Sequence, residues 1–238
     1  MPVAKGDYIL VEYTAMVKED KRVIDTTSEE EAKKHGIYRE GDLYEPTFVI
    51  LGEGWLLKGL EKRLEGLEVG EEREIEVPPE EAFGRRDPKK VKVIPAIELS
   101  SRGLIPRVNK EVEINGKRGI IRSVGGGRVV IDFNHPLADK TLVYKVKIVS
   151  RVEGLEGKVR ELVHRWLRAV PREEVEVEVS GGEATVKLPE RALALERVGL
   201  LLRGAASDIR KYLKDINLVR FVAEFELKRE EAKEGSGD

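Results

Sequence analysis

A few aromatic side chains and one acid, Tyr13, Asp25, Phe83 and Tyr144, stand on an apolar background in the first part of the chain, and their types could do chemistry. From the residues alone a plain account is open. Tyr13 and Tyr144 read as core residues with satisfied hydroxyls, and Asp25 caps a turn with Thr26 and Thr27. Other chemistries are restricted by composition. Without cysteine there is no disulfide framework, thiolate nucleophile or Cys-based zinc site, and three histidines far apart in sequence argue against a His-rich metal cage. His135, between Asn134 and Pro136, has no partner nearby and reads as structural; His35 and His164 read as surface or helix-face residues. No metal and no cofactor are expected.

The elements that must position these residues come from a chain of 238 residues, 40% hydrophobic, enough for two or three separate cores. Its 43 basic and 45 acidic residues nearly cancel, so no whole-chain field draws it to nucleic acid or anionic lipid. Charged residues at 37%, with two Met and no Cys, lean towards a thermophilic source. The N-terminus runs directly into a strand pattern, and no run of eighteen apolar residues occurs. The expectation is a soluble, unexported, cytoplasmic protein with no membrane contact.

In the strand pattern from Asp7 to Val17, Ile9, Val11, Tyr13, Ala15 and Val17 share one face, so Tyr13 points with the core. A second strand, Val23 to Thr26, precedes a helix opened by Ser28 and stopped by Gly36, and the acidic excursion to about Pro46 reads as a surface loop. Thr47 to Leu51 is a short strand. Leu56, Leu57, Leu60 and Leu64 fall at helical spacing, ending at Gly66, and Glu71 to Val77 is again a strand. From Asp87 to His135 ten Lys/Arg face five Asp/Glu, a surplus of +5, on short strands at Glu111 to Ile114, Arg118 to Ser123 and Arg128 to Phe133. This reads as a small all-β insertion. Strand pattern resumes from Thr141 to Val149. The last third is a separate αββαβ unit: a helical stripe from Leu155 to Val170, a Gly181-Gly182 hairpin, a helix after Pro189, and a strand aligning Val219, Phe221, Ala223, Phe225 and Leu227. The tail from Glu230 to Asp238 is polar and expected to fray.

Whole phrases in order carry more than single residues. Val11-Glu12-Tyr13-Thr14-Ala15, Val23-Ile24-Asp25-Thr26-Thr27, the run from Leu51 to Glu61 that contains Gly52, Gly54, Trp55 and Gly59, Val69-Gly70-Glu71, Glu81-Ala82-Phe83-Gly84, and Leu142-Val143-Tyr144-Lys145-Val146 together resemble the FKBP-type peptidyl-prolyl cis-trans isomerases over about residues 5–150. More narrowly, the chain resembles the long archaeal members and the bacterial ones with a chaperone domain inserted in the flap. The resemblance implies an α+β fold: an FKBP-like curved antiparallel half-barrel around a short helix at Leu57 to Leu64, with the all-β insertion and the C-terminal α+β domain. The expected divisions are 1–86 with 136–152, 87–135, 153–230, and a tail over 231–238.

Carried over residue by residue, the resemblance implies catalytic positions at Tyr13, Asp25, the backbone N–H of Leu57, Phe83 and Tyr144. Substrate contacts are implied at Ile24, Thr47, Val49, Leu56, Leu60 and Leu142. Phe83 stands where the family pattern has Tyr, Ile24 where it usually has Phe, and Leu60 where a larger aromatic is frequent. Phe83 cannot donate a hydrogen bond, which leaves the Leu57 N–H as the donor to the substrate carbonyl. In the insertion, Phe133 is the one aromatic, too few for base stacking, while Ile94, Ile97, Leu104 and Ile120 are apolar. These fill a core or, as the resemblance implies, hold extended unfolded chains. The expected activity is prolyl isomerisation with folding-chaperone action on unfolded, proline-containing polypeptides. The alternative is a holdase whose pocket is inactive. The partly apolar last strand needs a cover, which is either the isomerase barrel of the same chain or, as the resemblance implies, a second chain in a homodimer through the C-terminal domain; nucleic acid is not an expected partner.

Overall fold

The computed structural model describes residues 1–225; Leu227 and the tail from Glu230 lie outside them. The first sheet begins with β1 (Tyr8–Val17), whose alternation buries Ile9, Val11, Ala15 and Val17 on one face. β2 (Val23–Thr26) follows, then α1 (Glu29–Lys34), with Ser28 Oγ accepting from the Glu31 N–H as its cap. β3 (Thr47–Ile50), α2 (Lys58–Leu64) and β4 (Glu72–Val77) complete the first pass. α2 is short and lies against the sheet, driving Leu60 and Leu64 into a core with Ile75, Val77, Tyr144 and Val146. Each such side chain removed from water contributes roughly 1.5–3 kcal/mol. Gly59 permits the approach: a Cβ there would lie 2.7 Å from both Val77 Cγ1 and Glu81 Cβ.

The insertion consists of β5 (Val91–Pro95), α3 (Ala96–Ser101), β6 (Glu111–Ile114), β7 (Lys117–Gly125) and β8 (Arg128–Asp132), with sheet order β5-β8-β7-β6, antiparallel throughout. It has its own core of Leu99, Val112, Ile114, Ile121, Val129 and Ile131. The insertion is not the all-β unit its strand pattern suggests, since it contains the helix α3, and a further strand, β5, precedes the three expected ones. A six-residue helix that buries only Leu99 is too short to register a 3.6 period, and Pro95 with Lys92 obscures the alternation of β5. The two ends of the insertion are tied together: the Asp87 N–H donates to Asn134 Oδ1 at 2.9 Å, and Asn134 Nδ2 donates to the Asp87 carbonyl at 3.0 Å.

The chain then returns through β9 (Leu142–Arg151), which pairs with β1 on one side and β4 on the other, giving the order β2-β1-β9-β4 with β3 also on β1. The last unit has α4 (Leu155–His164), β10 (Glu176–Ser180), β11 (Glu183–Leu188), α5 (Val198–Tyr212) and β12 (Leu218–Ala223). β10 and β11 are antiparallel, and β12 is parallel to β11 across the α5 crossover. Its core is continuous with the back of the first sheet, for Phe48 and Ile50 of β3 are buried with Val159, Leu162 and Leu167, and Tyr8, Leu10 and Trp55 pack against them. α5 approaches closely where Gly204 meets the face of Trp166.

The seam is also polar. The loop before β3, expected at the surface, is held down: Glu45 Oε1 lies 2.6 Å from His164 Nε2 and 2.9 Å from Arg172 Nη2, and Arg172 also donates to the Pro46 carbonyl and to Glu161. His164 is therefore a helix-face residue at the end of α4, 2% exposed, and not a surface one. Among the described residues no helix is long and apolar enough to cross a membrane.

Candidate active site

Tyr13 lies at a change of partner. β2 pairs with β1 from Thr14 onwards and β3 pairs with it up to Val11, so the edge of the sheet opens beside Tyr13. Thr27 closes the gap on the backbone side, its Oγ1 accepting from the Tyr13 N–H at 2.9 Å. This leaves the Tyr13 phenol to donate to Asp25 Oδ2 at 2.8 Å, while its ring meets that of Tyr144 at 5.9 Å between centroids. Ile24, Leu56, Leu57 and Phe83 are half-buried and pack with Tyr13 on the same barrel core as Tyr144.

Burial, then the neighbouring Asp25 charge, pushes the Tyr144 hydroxyl up to about 12. Burial, then Asp25 through charge and hydrogen bond, also raises the Tyr13 phenol. Both phenols therefore stay protonated at neutral pH. The Leu57 N–H, at the start of α2, has no hydrogen-bond partner among the described residues. The turn before it is fixed by Glu61, a residue the sequence reading missed, whose buried carboxylate accepts from the Gly52 and Gly54 N–H groups at 3.0 and 3.1 Å.

Three of the expected contact residues lie too deep to meet a ligand. Val49 and Leu142 are 0% exposed and Leu60 is 1% exposed, so they support the pocket from beneath. Thr47, two residues before Val49 on the same strand face, stands at the opening and lines a cleft of about 1250 Å³ together with Tyr13, Ile24 and Asp25. Phe83 stacks on His135, with ring centroids 4.0 Å apart and planes at 7°. In the insertion, Ile97 is 78% exposed, whereas Ile94 and Leu104 are half-buried against its core and Ile120 is half-buried as well. Ile105, at 67%, and Val93, at 59%, are more open than three of the four residues expected to bind chains. Among the described residues no group of three or more His, Asp or Glu side chains is arranged to hold a metal ion.

The short helix α2 lies against an antiparallel sheet, and the Tyr13 and Asp25 pair stands at the opening of that sheet beside a core packed by Ile24, Leu56, Leu57 and Phe83; the cleft is lined by Tyr13, Ile24 and Asp25 and not by Leu56, Leu57, Phe83 or Tyr144. Residues 92–137 match the family described as "FKBP26, IF domain", and residues 155–226 match "FKBP26_C-terminal". The chain is 38% identical over 146 residues, 61% of its own length and 92% of the other's, to the "Short-type peptidyl-prolyl cis-trans isomerase" of Methanocaldococcus jannaschii. It is 27% identical over 159 residues to the "FKBP-type 16 kDa peptidyl-prolyl cis-trans isomerase" of Escherichia coli K12, covering 65% of this chain and 97% of that one. To the "FKBP-type peptidyl-prolyl cis-trans isomerase SlyD" of Haemophilus influenzae it is 29% identical over 157 residues, 62% of this chain and 78% of that one. The chain belongs to the FKBP-type peptidyl-prolyl cis-trans isomerase family.

Proposed function

We propose that the chain isomerises prolyl peptide bonds in unfolded polypeptides at the pocket edged by Tyr13, Ile24, Asp25, Leu56, Leu57, Phe83 and Tyr144, and that the segment 87–135 captures those polypeptides as a chaperone. The observation that carries the catalytic reading is the hydrogen-bonded Tyr13 and Asp25 pair at the open end of an apolar core. Rotation about the amide bond costs about 18–20 kcal/mol because the planar form has partial double-bond character. No bond is broken. The pocket needs only to hold the twisted amide better than the planar one, which an apolar enclosure does by removing the water that solvates the planar dipole. The unpartnered Leu57 N–H supplies a donor to a substrate carbonyl, and Asp25, fixed by Tyr13, supplies a field beside the rotating group.

Capture is supported by the exposed Val93, Ile97 and Ile105 on a unit with a core of its own. Holding a client beside the pocket raises its effective concentration there. Proline-limited refolding of a model protein, with the full chain and with a form whose insertion is replaced by a short linker at its tied ends, tests this. The reading requires the shortened form to catalyse refolding much less well; equal catalysis overturns the capture role. A holdase with an idle pocket has less support, because Tyr13 and Asp25 keep their contact despite the Phe83 and Ile24 replacements. The reading includes a long, insert-in-flap architecture and a cytoplasmic location. It also includes self-association through the C-terminal unit, where β12 is an edge strand and Leu218 and Phe225 are exposed. Sedimentation as a monomer at micromolar concentration would remove that last element.

A further inference from the structure

The cleft that opens on Tyr13 and Asp25 is not made by the isomerase unit alone. One wall is the loop after α1, including Tyr38, Arg39 and Tyr44, and the opposite wall is the segment after α4, including Arg168 and Pro171. Both walls are built. The Tyr38 and Tyr44 rings stack at 5.5 Å, and Glu45, at the foot of the loop, is clasped by His164 and Arg172 of the C-terminal unit. Arg168 is exposed and makes neither an ion pair nor a side-chain hydrogen bond among the described residues. The other charges on the lining are Arg39, Asp42, Glu45 and Glu173, besides Asp25. Glu45 is committed to His164 and Arg172 and Asp25 to Tyr13, whereas Arg39, Asp42 and Glu173, like Arg168, make no side-chain ion pair among the described residues. Arg168 is the C-terminal charge whose field reaches the Tyr13 phenol, where it opposes burial and Asp25.

We propose that the C-terminal unit is part of the substrate site, and that Arg168 determines specificity by favouring polypeptides with an acidic residue flanking the proline. This rests on the isomerase reading of the pocket and deepens it. A prolyl segment seated at Tyr13 continues as extended chain between the two walls, and a carboxylate on that chain accepts two parallel hydrogen bonds donated by the planar fork of the Arg168 guanidinium. A lysine at the same place meets like charge.

The test uses the full chain and two pairs of short peptides, one pair with Glu or Lys before proline, the other with Glu or Lys after it. Isomerisation is followed by exchange NMR, and the readout is the ratio of kcat/KM for the Glu peptide over the Lys peptide. In at least one pair the ratio is expected to be about two- to fivefold above one in the wild type, the range of an exposed ion pair. It should fall to near one in Arg168→Ala and below one in Arg168→Glu, with the change in KM. Raising salt should shrink the wild-type ratio. A variant that merely folds poorly lowers both peptides together and leaves the ratio where it was. A ratio equal in wild type and both variants, for both pairs, overturns the inference while leaving the isomerase reading intact. Failure to isomerise any of the four peptides overturns the isomerase reading and the inference with it.

Discussion

Replacing Arg172 by Met keeps an apolar stem of similar length and removes the cation that joins the loop before β3 to the C-terminal unit. In the native chain its guanidinium lies 2.9 Å from Glu45, 3.2 Å from both Glu161 oxygens and 3.0 Å from the Pro46 carbonyl. Both ring nitrogens of His164 already face acceptors, Glu45 and the Val170 carbonyl, so His164 has no ring nitrogen left to donate to Glu161 in place of Arg172. Removing one partner of a buried ion pair costs about 3–5 kcal/mol. The lower end, about 3 kcal/mol, is expected here because Glu161 can escape as the neutral acid. Burial already raises the Glu161 pKa above its ordinary 4.5, with Arg172 opposing that rise. A folded acid with a raised pKa keeps its proton where the unfolded chain has lost it, so stability falls as pH climbs from about the ordinary carboxylate value through the raised one. Without Arg172 the rise is larger, and the deficit of the variant should grow from pH 5 to pH 8. Urea unfolding read by tryptophan fluorescence measures this, since Trp55 packs in the seam and Trp166 packs beside α5. A deficit below about 0.5 kcal/mol, the range of ordinary surface substitutions, or one that is flat with pH, would refute the reasoning.

Two further substitutions probe the other joints. Gly204→Ala places a Cβ 2.6 Å from the Trp166 ring, and an overpacking cost of about 1–3 kcal/mol exceeds the helix-propensity gain of about 1 kcal/mol. A lower Tm with altered Trp166 emission is expected, and an unchanged or higher Tm would show that the helices separate freely. Asp132, 3% exposed, receives Arg86 at 3.0 Å and Asn134 Nδ2 at 2.7 Å at the base of the insertion. Burial works to raise its carboxyl, but the Asn134 bonds, Arg86 and Arg122 outweigh it and lower the pKa overall. Its contribution is therefore fully present above the ordinary value of 3.8 and lost as pH falls through the lower folded value. Asp132→Ala should speed amide exchange across β5 and β8 by tenfold or more, at about 1–3 kcal/mol for the orphaned partners, while β1 and β9 stay protected. Uniform exchange throughout the chain would contradict a local joint.

Alternation and helical spacing made β1, β9, α2 and the αββαβ order legible, because each pairs a period with a single buried face. The tyrosine-aspartate contact was approachable only through the order of whole phrases, since Tyr13 and Asp25 taken singly read as a core residue and a turn cap. Depth was not legible. Thr47 and Val49 share a strand face, yet Thr47 lies at the opening of the sheet and Val49 beneath it. Leu142, facing Val17 on one neighbour and Val77 on the other, is closed on both sides. Nor could local pattern expose the seam, because the acid that buries His164 lies 119 residues away, in a loop whose charge suggested solvent.

The central claim is that the Tyr13 and Asp25 end of the barrel accelerates prolyl rotation, and isomerisation of a short neutral proline peptide tests it most directly. The full chain should accelerate exchange between the two isomers well above the uncatalysed rate. Asp25→Ala should lower kcat/KM by about tenfold, which is about 1.4 kcal/mol of transition-state stabilisation. Tyr13→Phe should lower it less, since it removes one hydrogen bond of about 0.5–1.5 kcal/mol and leaves the charge in place. A wild-type rate equal to the uncatalysed one, or an Asp25→Ala variant as active as the wild type, would contradict the account.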